Sequence, residues 1–166
     1  LKGRKVLVID HNETSRSILQ DVLAHWGMVP VVAAQGRDGM DLLSTAGAED
    51  SPFALALIDE RLPDVDGFQV VEQMKEADLP PQEVIMMLTS ENVAESSSRC
   101  QQAGVSSWLI KPILQSRLFD LLVETFCDHA AHTSVKGSDT PDAEQAVTKE
   151  ATILLVEDNR VNQLLA

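Results

Sequence analysis

The stretch that decides the fold runs from residue 53 to residue 67 and reads FALALIDERLPDVDG. It opens with a continuous apolar run that ends in Asp59, which predicts a strand over 53–59 buried on both faces. Pro63 and Gly67 then mark a turn, and apolar residues at helical spacing predict a helix over 68–77. The stretch is therefore a strand, a loop and a helix, with the carboxylate of Asp59 at the end of the strand.

The same alternation of a short apolar run and an amphipathic stretch recurs along the first 126 residues. In the first helix, five apolar residues stand at helical spacing: Ile18, Leu19, Val22, Leu23 and Trp26. Strict alternation predicts an α/β fold, a flavodoxin-like (βα)5 doubly wound parallel sheet with strand order 2-1-3-4-5, whose sites lie at the carboxyl ends of the strands. The other strands are predicted over 5–10, 29–33, 83–88 and 106–110, and the other helices over 14–26, 37–46, 93–103 and 116–126.

The chain divides into three segments. Residues 1–129 form one complete domain, and residues 130–151 are small and polar, as in a flexible linker. Residues 152–166 begin TILLVEDN, which repeats the opening KVLVIDHN, so we expect them to start a second domain of the same kind. Because one strand and half a helix cannot bury a core alone, the segment 152–166 is also a candidate contact for a homodimer.

Composition and charge exclude several classes of protein. The chain has 13 Lys+Arg against 26 Asp+Glu, a formal net charge of −13, and such a surface repels the phosphate backbone of nucleic acids. No apolar run approaches the roughly 20 residues that span a bilayer. We expect no direct membrane contact and a cytoplasmic location, within a parent protein that can itself be anchored in the inner membrane. Cys100 and Cys127 are expected to be reduced thiols.

Functional groups stand at the ends of four predicted strands. Asp10 ends the first strand and Asp59 the third, while Thr89 follows the fourth and Lys111 the fifth; Ser90 is an alternative hydroxyl. These four strands are neighbours in the predicted order, so their ends converge on one crevice. The set suits phosphoryl transfer to a carboxylate, because attack on phosphorus needs cations and hydrogen-bond donors that absorb the developing charge.

Four segments resemble, in order and spacing, the signature segments of response-regulator receiver domains of the CheY-like kind: VLVIDHNETSR at 6–16, ALIDERLPDVDGF at 56–68, MMLTSEN at 86–92 and WLIKP at 108–112. The resemblance covers residues 5–128, essentially a whole domain. It implies that Asp59 is phosphorylated and that Mg²⁺ is held by Asp10, Asp59 and the backbone carbonyl of Arg61.

The resemblance implies roles for further residues. Thr89 would donate its hydroxyl, and Lys111 its ammonium, to the phosphoryl group on Asp59. A cis peptide bond would precede Pro112, as is common only before proline. Trp108 would stand at an aromatic switch position whose side-chain rotation is coupled to Thr89.

One position departs from the receiver pattern. The second of two adjacent acids after the first strand, normally a direct metal ligand, is replaced by His11, whereas Glu157 and Asp158 keep both acids in the repeat. An imidazole is a poor ligand for Mg²⁺ and a good one for Zn²⁺, Ni²⁺ or Cu²⁺. Three interpretations stay open: a neutral loop residue in a degenerate site, a ligand for a softer metal, or a pH-responsive cation that fills the metal's place. We therefore expect weakened or absent Mg²⁺ binding and slow or no phosphorylation.

Two functions compete on these grounds. The favoured one is a phosphorelay receiver, the first of two tandem receivers in a bacterial hybrid sensor histidine kinase, and not a stand-alone enzyme. Its partners would be the dimerisation and phosphotransfer domain of a histidine kinase and a histidine phosphotransfer protein. The rival is a pseudo-receiver that carries no phosphate and acts through protein–protein contacts. A flavin-binding function is excluded, because the loop over 11–14 contains an acid and does not cradle a phosphate.

Overall fold

A computed structural model describes residues 1–49, 51–79, 81–91 and 93–127. The predicted linker over 130–151 and the predicted domain start over 152–166, with its dimer contact, lie outside these residues. Within them, no helix has both the length and the apolar character needed to cross a membrane. Strands and helices alternate as predicted: β1 (Lys5–Ile9), α1 (Glu13–His25), β2 (Val29–Ala33), α2 (Gly36–Ala48), β3 (Leu55–Asp59), α3 (Gly67–Glu76), β4 (Glu83–Leu88), α4 (Val93–Gln102), β5 (Ser107–Ile110) and α5 (Gln115–Cys127).

The strands form one parallel sheet in the order β2-β1-β3-β4-β5, which confirms the predicted flavodoxin-like α/β fold. The register brings the carboxyl ends of four strands to the same level. The pairs nearest these ends are Ile9 with Ile58, Asp59 with Met87, and Leu88 with Ile110. Residues that follow β1, β3, β4 and β5 therefore emerge together at one edge of the sheet.

Two hydrophobic cores cover the two faces of the sheet, because successive side chains of a strand point to opposite sides. Ile9, Ile58 and Met86 belong to the core that α2, α3 and α4 cover. Val8 and Leu57 belong to the other core, under α1 and α5. Each central strand is buried on both faces, which explains why its sequence is a continuous apolar run.

In helix α1, one residue of the predicted apolar spacing is exposed. Asn12 caps the helix by accepting a hydrogen bond from the Ser15 N–H (3.0 Å), and Leu19 and Leu23 are buried. Ile18 is 52% exposed, although it belongs to the predicted apolar spacing of this helix. Successive helical residues are about 100° apart, and the stripe centred on Leu19 and Leu23 turns Ile18 towards solvent.

Candidate functional site

The loop between β3 and α3 folds tightly back onto the end of β3. A Cβ at Gly67 would collide with the carbonyl oxygen of Asp59, so a side chain has no room there. The Gly67 N–H donates to the carbonyl of Glu60 (3.0 Å). Asp66 caps α3: its side chain accepts from the Phe68 N–H (2.8 Å), and in a capping box its own N–H donates to the Gln69 side chain (3.2 Å). These contacts fix the backbone that carries Asp59.

The same loop also caps a second helix. The carboxylate of Asp64 accepts hydrogen bonds from the N–H groups of Gly36 and Arg37, both at 2.9 Å, at the start of α2. Burial raises the pKa of Asp64, but these N–H donors outweigh burial and leave the pKa below its ordinary value. The residue at the N-cap position of α2, Gln35, makes no side-chain cap, so Asp64 supplies the acceptor from across the fold.

Two buried carboxylates and one ammonium form the centre of the site. Asp10, directly after β1, and Asp59, at the end of β3, are both fully buried. The Nζ atom of Lys111, directly after β5, lies 2.8 Å from Oδ2 of Asp10 and 2.9 Å from Oδ2 of Asp59. The structure thus brings these three predicted residues together. The peptide bond between Lys111 and Pro112 is cis, as the resemblance implies.

Asp10 is surrounded by hydrogen-bond donors. Its carboxylate accepts from the Asn12 N–H (2.8 Å), the Ser15 hydroxyl (2.7 Å) and Lys111, and its carbonyl accepts from Arg16 (2.7 Å). Burial raises the pKa of Asp10, but the hydrogen bonds from Lys111, Asn12 and Ser15 outweigh burial and lower it. Ser15 and Arg16 were not predicted as part of the site; both lie in the first turn of α1, which Asn12 caps.

His11 lies at the mouth of the site and touches the second carboxylate. Its Nδ1 is 2.7 Å from Oδ2 of Asp59 and 3.8 Å from Oδ1 of Asp10, while its side chain is 51% exposed. The other oxygen of Asp59 accepts from the main-chain N–H of Arg61 (3.3 Å). Asp59 therefore faces Lys111 and His11 on one oxygen and the backbone on the other.

The donor set does not fit the Mg²⁺ ion that the resemblance implies. Asp10, His11 and Asp59 each offer one ligand atom, and these atoms all lie within 4.8 Å of one another. Mg²⁺ demands near-octahedral oxygen ligation and retains several waters. A nitrogen at the third position suits borderline metals better. Arg61 was predicted to bind Mg²⁺ through its backbone carbonyl. In the structure, its backbone N–H donates a hydrogen bond to Asp59.

Thr89 is engaged away from the buried pair. Its N–H and hydroxyl donate to Oε2 of Glu60, at 3.0 and 3.2 Å, and the buried Ser96 hydroxyl of α4 donates to Oε1. Ser90, the alternative hydroxyl, is exposed. Glu60 and Ser96 were not predicted as part of the site. Glu60 directly follows Asp59, but no spacing rule links it to an α4 residue 36 positions later.

The remaining predicted residues lie on the periphery. The guanidinium of Arg61 pairs with Glu91 at 2.5 Å, and this hydrogen bond raises the pKa of Arg61. The pair spans the ends of β3 and β4, with both side chains exposed. Trp108 in β5 is partly buried against the core under α2, α3 and α4. Its predicted coupling to Thr89 stays a prediction, since Thr89 contacts Glu60.

The fold and these contacts define a class, a flavodoxin-like domain with an acidic pocket closed by one lysine. A family model described as "Response regulator receiver domain" matches residues 6–123. Transcriptional regulatory protein ZraR of Salmonella typhimurium is 31% identical over 141 residues, which are 85% of this chain and 30% of ZraR. Autoinducer 2 sensor kinase/phosphatase LuxQ of Vibrio harveyi is 29% identical over 120 residues, 72% of this chain and 13% of LuxQ. The structure of chemotaxis protein CheY4 of Vibrio cholerae has a TM-score of 0.64 at 24% identity, over 75% of this chain and 99% of CheY4.

The chain belongs to the response regulator receiver domain family. It spans less than a third of the length of both curated relatives. The likeness to CheY4 shows the fold alone. The domain is therefore a receiver of the two-component type, and its acidic pocket contains His11.

Proposed function

We propose that this receiver is a module of a phosphorelay and that Asp59 accepts a phosphoryl group from a histidine kinase. The observation that carries the proposal is the surrounding of Asp59, which is fully buried with Nζ of Lys111 2.9 Å from its Oδ2. A carboxylate nucleophile beside a fixed ammonium suits attack on a charged phosphoryl group.

The transfer breaks one bond and forms another. An oxygen of Asp59 attacks the phosphorus of a phosphohistidine, a P–O bond forms to Asp59, and the P–N bond to the donor breaks. The leaving histidine nitrogen keeps the electron pair of the P–N bond and takes up a proton from water. Lys111 supplies positive charge to the phosphoryl oxygens. Thr89 can donate to the phosphoryl group only after its hydroxyl leaves Glu60, 3.2 Å away.

A second function, the pseudo-receiver, is favoured by one contact. Nδ1 of His11 lies 2.7 Å from Oδ2 of Asp59, the oxygen that Lys111 also contacts. A phosphoryl group on this oxygen would displace both partners. A receiver held in this way would dock to a kinase or phosphotransfer domain without carrying phosphate.

Intact-mass spectrometry after incubation with acetyl phosphate and a divalent cation separates the two functions. For the phosphorelay we expect wild type to gain the mass of one phosphoryl group and Asp59→Asn to gain none. Asp120→Asn, at an exposed position of α5, is the matched control and should behave as wild type. No gain in wild type together with a gain in His11→Asp would support the pseudo-receiver instead.

The wider context is part of the same proposal. We infer that the chain is the first of two tandem receivers of a hybrid histidine kinase, located in the cytoplasm, with kinase and histidine phosphotransfer domains as partners. The similarity to LuxQ, a sensor kinase/phosphatase, supports a kinase parent. The net charge of −13 argues against nucleic acid as a partner of this segment. ZraR is a transcriptional regulatory protein, but the match covers only 30% of it.

A further inference from the structure

We propose that Asp10, His11 and Asp59 form a binding site selective for borderline transition-metal dications, with Zn²⁺ as the reference ion, over Mg²⁺. The inference concerns the ion that the pocket takes and stands without phosphoryl transfer. The nitrogen ligand that makes this donor set a poor match for Mg²⁺ makes it a better match for Zn²⁺.

The distances between the ligand atoms suit a single small ion. Two ligands, each about 2.1 Å from one ion, are about 3 Å apart at a right angle and at most about 4.2 Å apart when opposite. Nδ1 of His11 lies 2.7 Å from Oδ2 of Asp59 and 3.8 Å from Oδ1 of Asp10. All three ligand atoms lie within 4.8 Å of one another, so shifts of roughly half an ångström would place them on one coordination sphere.

The identity of the atoms sets the preference. Zn²⁺ accepts both carboxylate oxygen and imidazole nitrogen as ligands, and a site with three protein ligands leaves a further position to water. Imidazole also suits Co²⁺ and Ni²⁺, whereas Mg²⁺ is bound by carboxylate, carbonyl and water oxygens. An ion bound here therefore gains from His11 only if it accepts nitrogen.

Charge and access favour a dication at this place. Asp10 and Asp59 contribute two negative charges, and Lys111 offsets one of them. Both acids are buried, while the side chain of His11 is 51% exposed, so an ion can enter from the His11 side. Each carboxylate oxygen offers about two lone-pair positions. Oδ1 of Asp10 accepts from the Asn12 N–H among the described residues, which leaves room for a metal bond.

Isothermal titration calorimetry of the full chain with ZnCl2, CoCl2 and MgCl2 tests the site. Wild type, His11→Ala and His11→Asp are compared, and every protein also carries His129→Ala and His132→Ala, which remove the histidines outside the described residues. The visible absorption of bound Co²⁺ gives a second readout that depends on coordination alone. Circular dichroism confirms that each variant is folded.

The expected result has two parts. His11→Ala should weaken Zn²⁺ and Co²⁺ binding by at least about tenfold without improving Mg²⁺ binding. His11→Asp should tighten Mg²⁺ binding by at least about tenfold and so reverse the preference. Equal Zn²⁺ affinity in wild type and His11→Ala would overturn the inference, as would equal Mg²⁺ affinity in wild type and His11→Asp.

The inference and the proposed phosphorelay fail in different ways. A wild-type chain that binds Zn²⁺ through His11 but gains no phosphoryl mass supports the metal site and contradicts the phosphorelay. A chain that gains phosphoryl mass on Asp59 with Mg²⁺, and binds Zn²⁺ no better than His11→Ala does, contradicts the metal site alone.

Discussion

Replacing Lys111 with methionine should destabilise the fold, because it leaves two buried carboxylates without their shared cation. The ammonium lies 2.8 Å from Asp10 Oδ2 and 2.9 Å from Asp59 Oδ2, and both acids are fully buried. Methionine keeps most of the length of the side chain and removes its charge. The variant therefore isolates the electrostatic contribution of Lys111 to the free energy of unfolding.

The size of the effect follows from burial and from the remaining partners. Removing one partner of a buried ion pair costs about 3–5 kcal/mol. The Lys111 side chain is 22% exposed, so solvent screens part of the interaction. Nδ1 of His11, 2.7 Å from Asp59 Oδ2, remains as a partial replacement. We therefore expect a loss of about 2–3 kcal/mol in the free energy of unfolding.

Urea titration near neutral pH, followed by far-UV circular dichroism, measures this loss. Lys2→Met, at an exposed position, is the matched control and should change the free energy of unfolding by less than about 0.5 kcal/mol. In an Asp59→Asn background only one carboxylate is left unpaired, so Lys111→Met should cost at least about 1 kcal/mol less. A loss equal to that of Lys2→Met, or a cost unchanged by Asp59→Asn, would contradict an electrostatic role of Lys111 in stability.

Three further predictions concern single residues other than the buried acids Asp10 and Asp59. Asp64→Ala should lower the free energy of unfolding by about 1 kcal/mol, the usual contribution of a helix-capping acceptor. Hydrogen bonds hold the pKa of Asp64 below its ordinary value of 3.8. Urea titrations should therefore show the full difference in unfolding free energy between wild type and Asp64→Ala above pH 3.8, and the difference should disappear as the pH falls through the lower folded pKa. A difference independent of pH would contradict this. Burial raises the pKa of Cys100 to about 11 from 9.0, so little reactive thiolate is present in the folded chain. In a Cys127→Ser chain, iodoacetamide should therefore alkylate Cys100 at least about 100-fold more slowly in the folded state than in urea. Equal rates would show an accessible thiolate. Gly67→Ala should cost at least about 2 kcal/mol in the same titrations, because its Cβ would meet main-chain atoms, while Gly47→Ala, which meets a leucine methyl at 3.1 Å, should cost clearly less; similar costs would contradict the close approach.

The fold and the centre of the site follow from short-range sequence patterns. A continuous apolar run such as the one ending in Asp59 is compatible with a central parallel strand, and alternation with helices fixes the sheet class. Once the strand order is known, the residues after β1, β3 and β5 must meet at one edge. Asp10, Asp59 and Lys111 therefore converge for reasons of topology, and the observed distances of 2.8 and 2.9 Å agree with that expectation.

The contacts that the sequence did not predict join loops to distant helices. Asp64 caps α2 from 28 residues away, and Glu60 accepts the hydroxyl of Ser96 from 36 residues away. These pairs depend on the conformations of two loops at once, and no periodicity in either segment reports such a conformation. The exposure of Ile18 has a different cause, since an apolar residue at the margin of a helical stripe can face either side.

Membership of the receiver family and readiness to accept a phosphoryl group are separate properties of this site. The residues that identify a receiver are present, yet the structure engages each of them with a partner other than a phosphoryl group. Lys111 neutralises Asp10 and Asp59, Thr89 donates to Glu60, and His11 contacts Asp59. An anion that arrives at Asp59 must replace the contacts of its Oδ2 atom with His11 (2.7 Å) and Lys111 (2.9 Å). A dication bound to Asp10, His11 and Asp59 would itself break the contact between His11 and Asp59. The phosphoryl group would then have one contact fewer to displace from Asp59. The ion bound in this pocket therefore affects how readily Asp59 accepts a phosphoryl group.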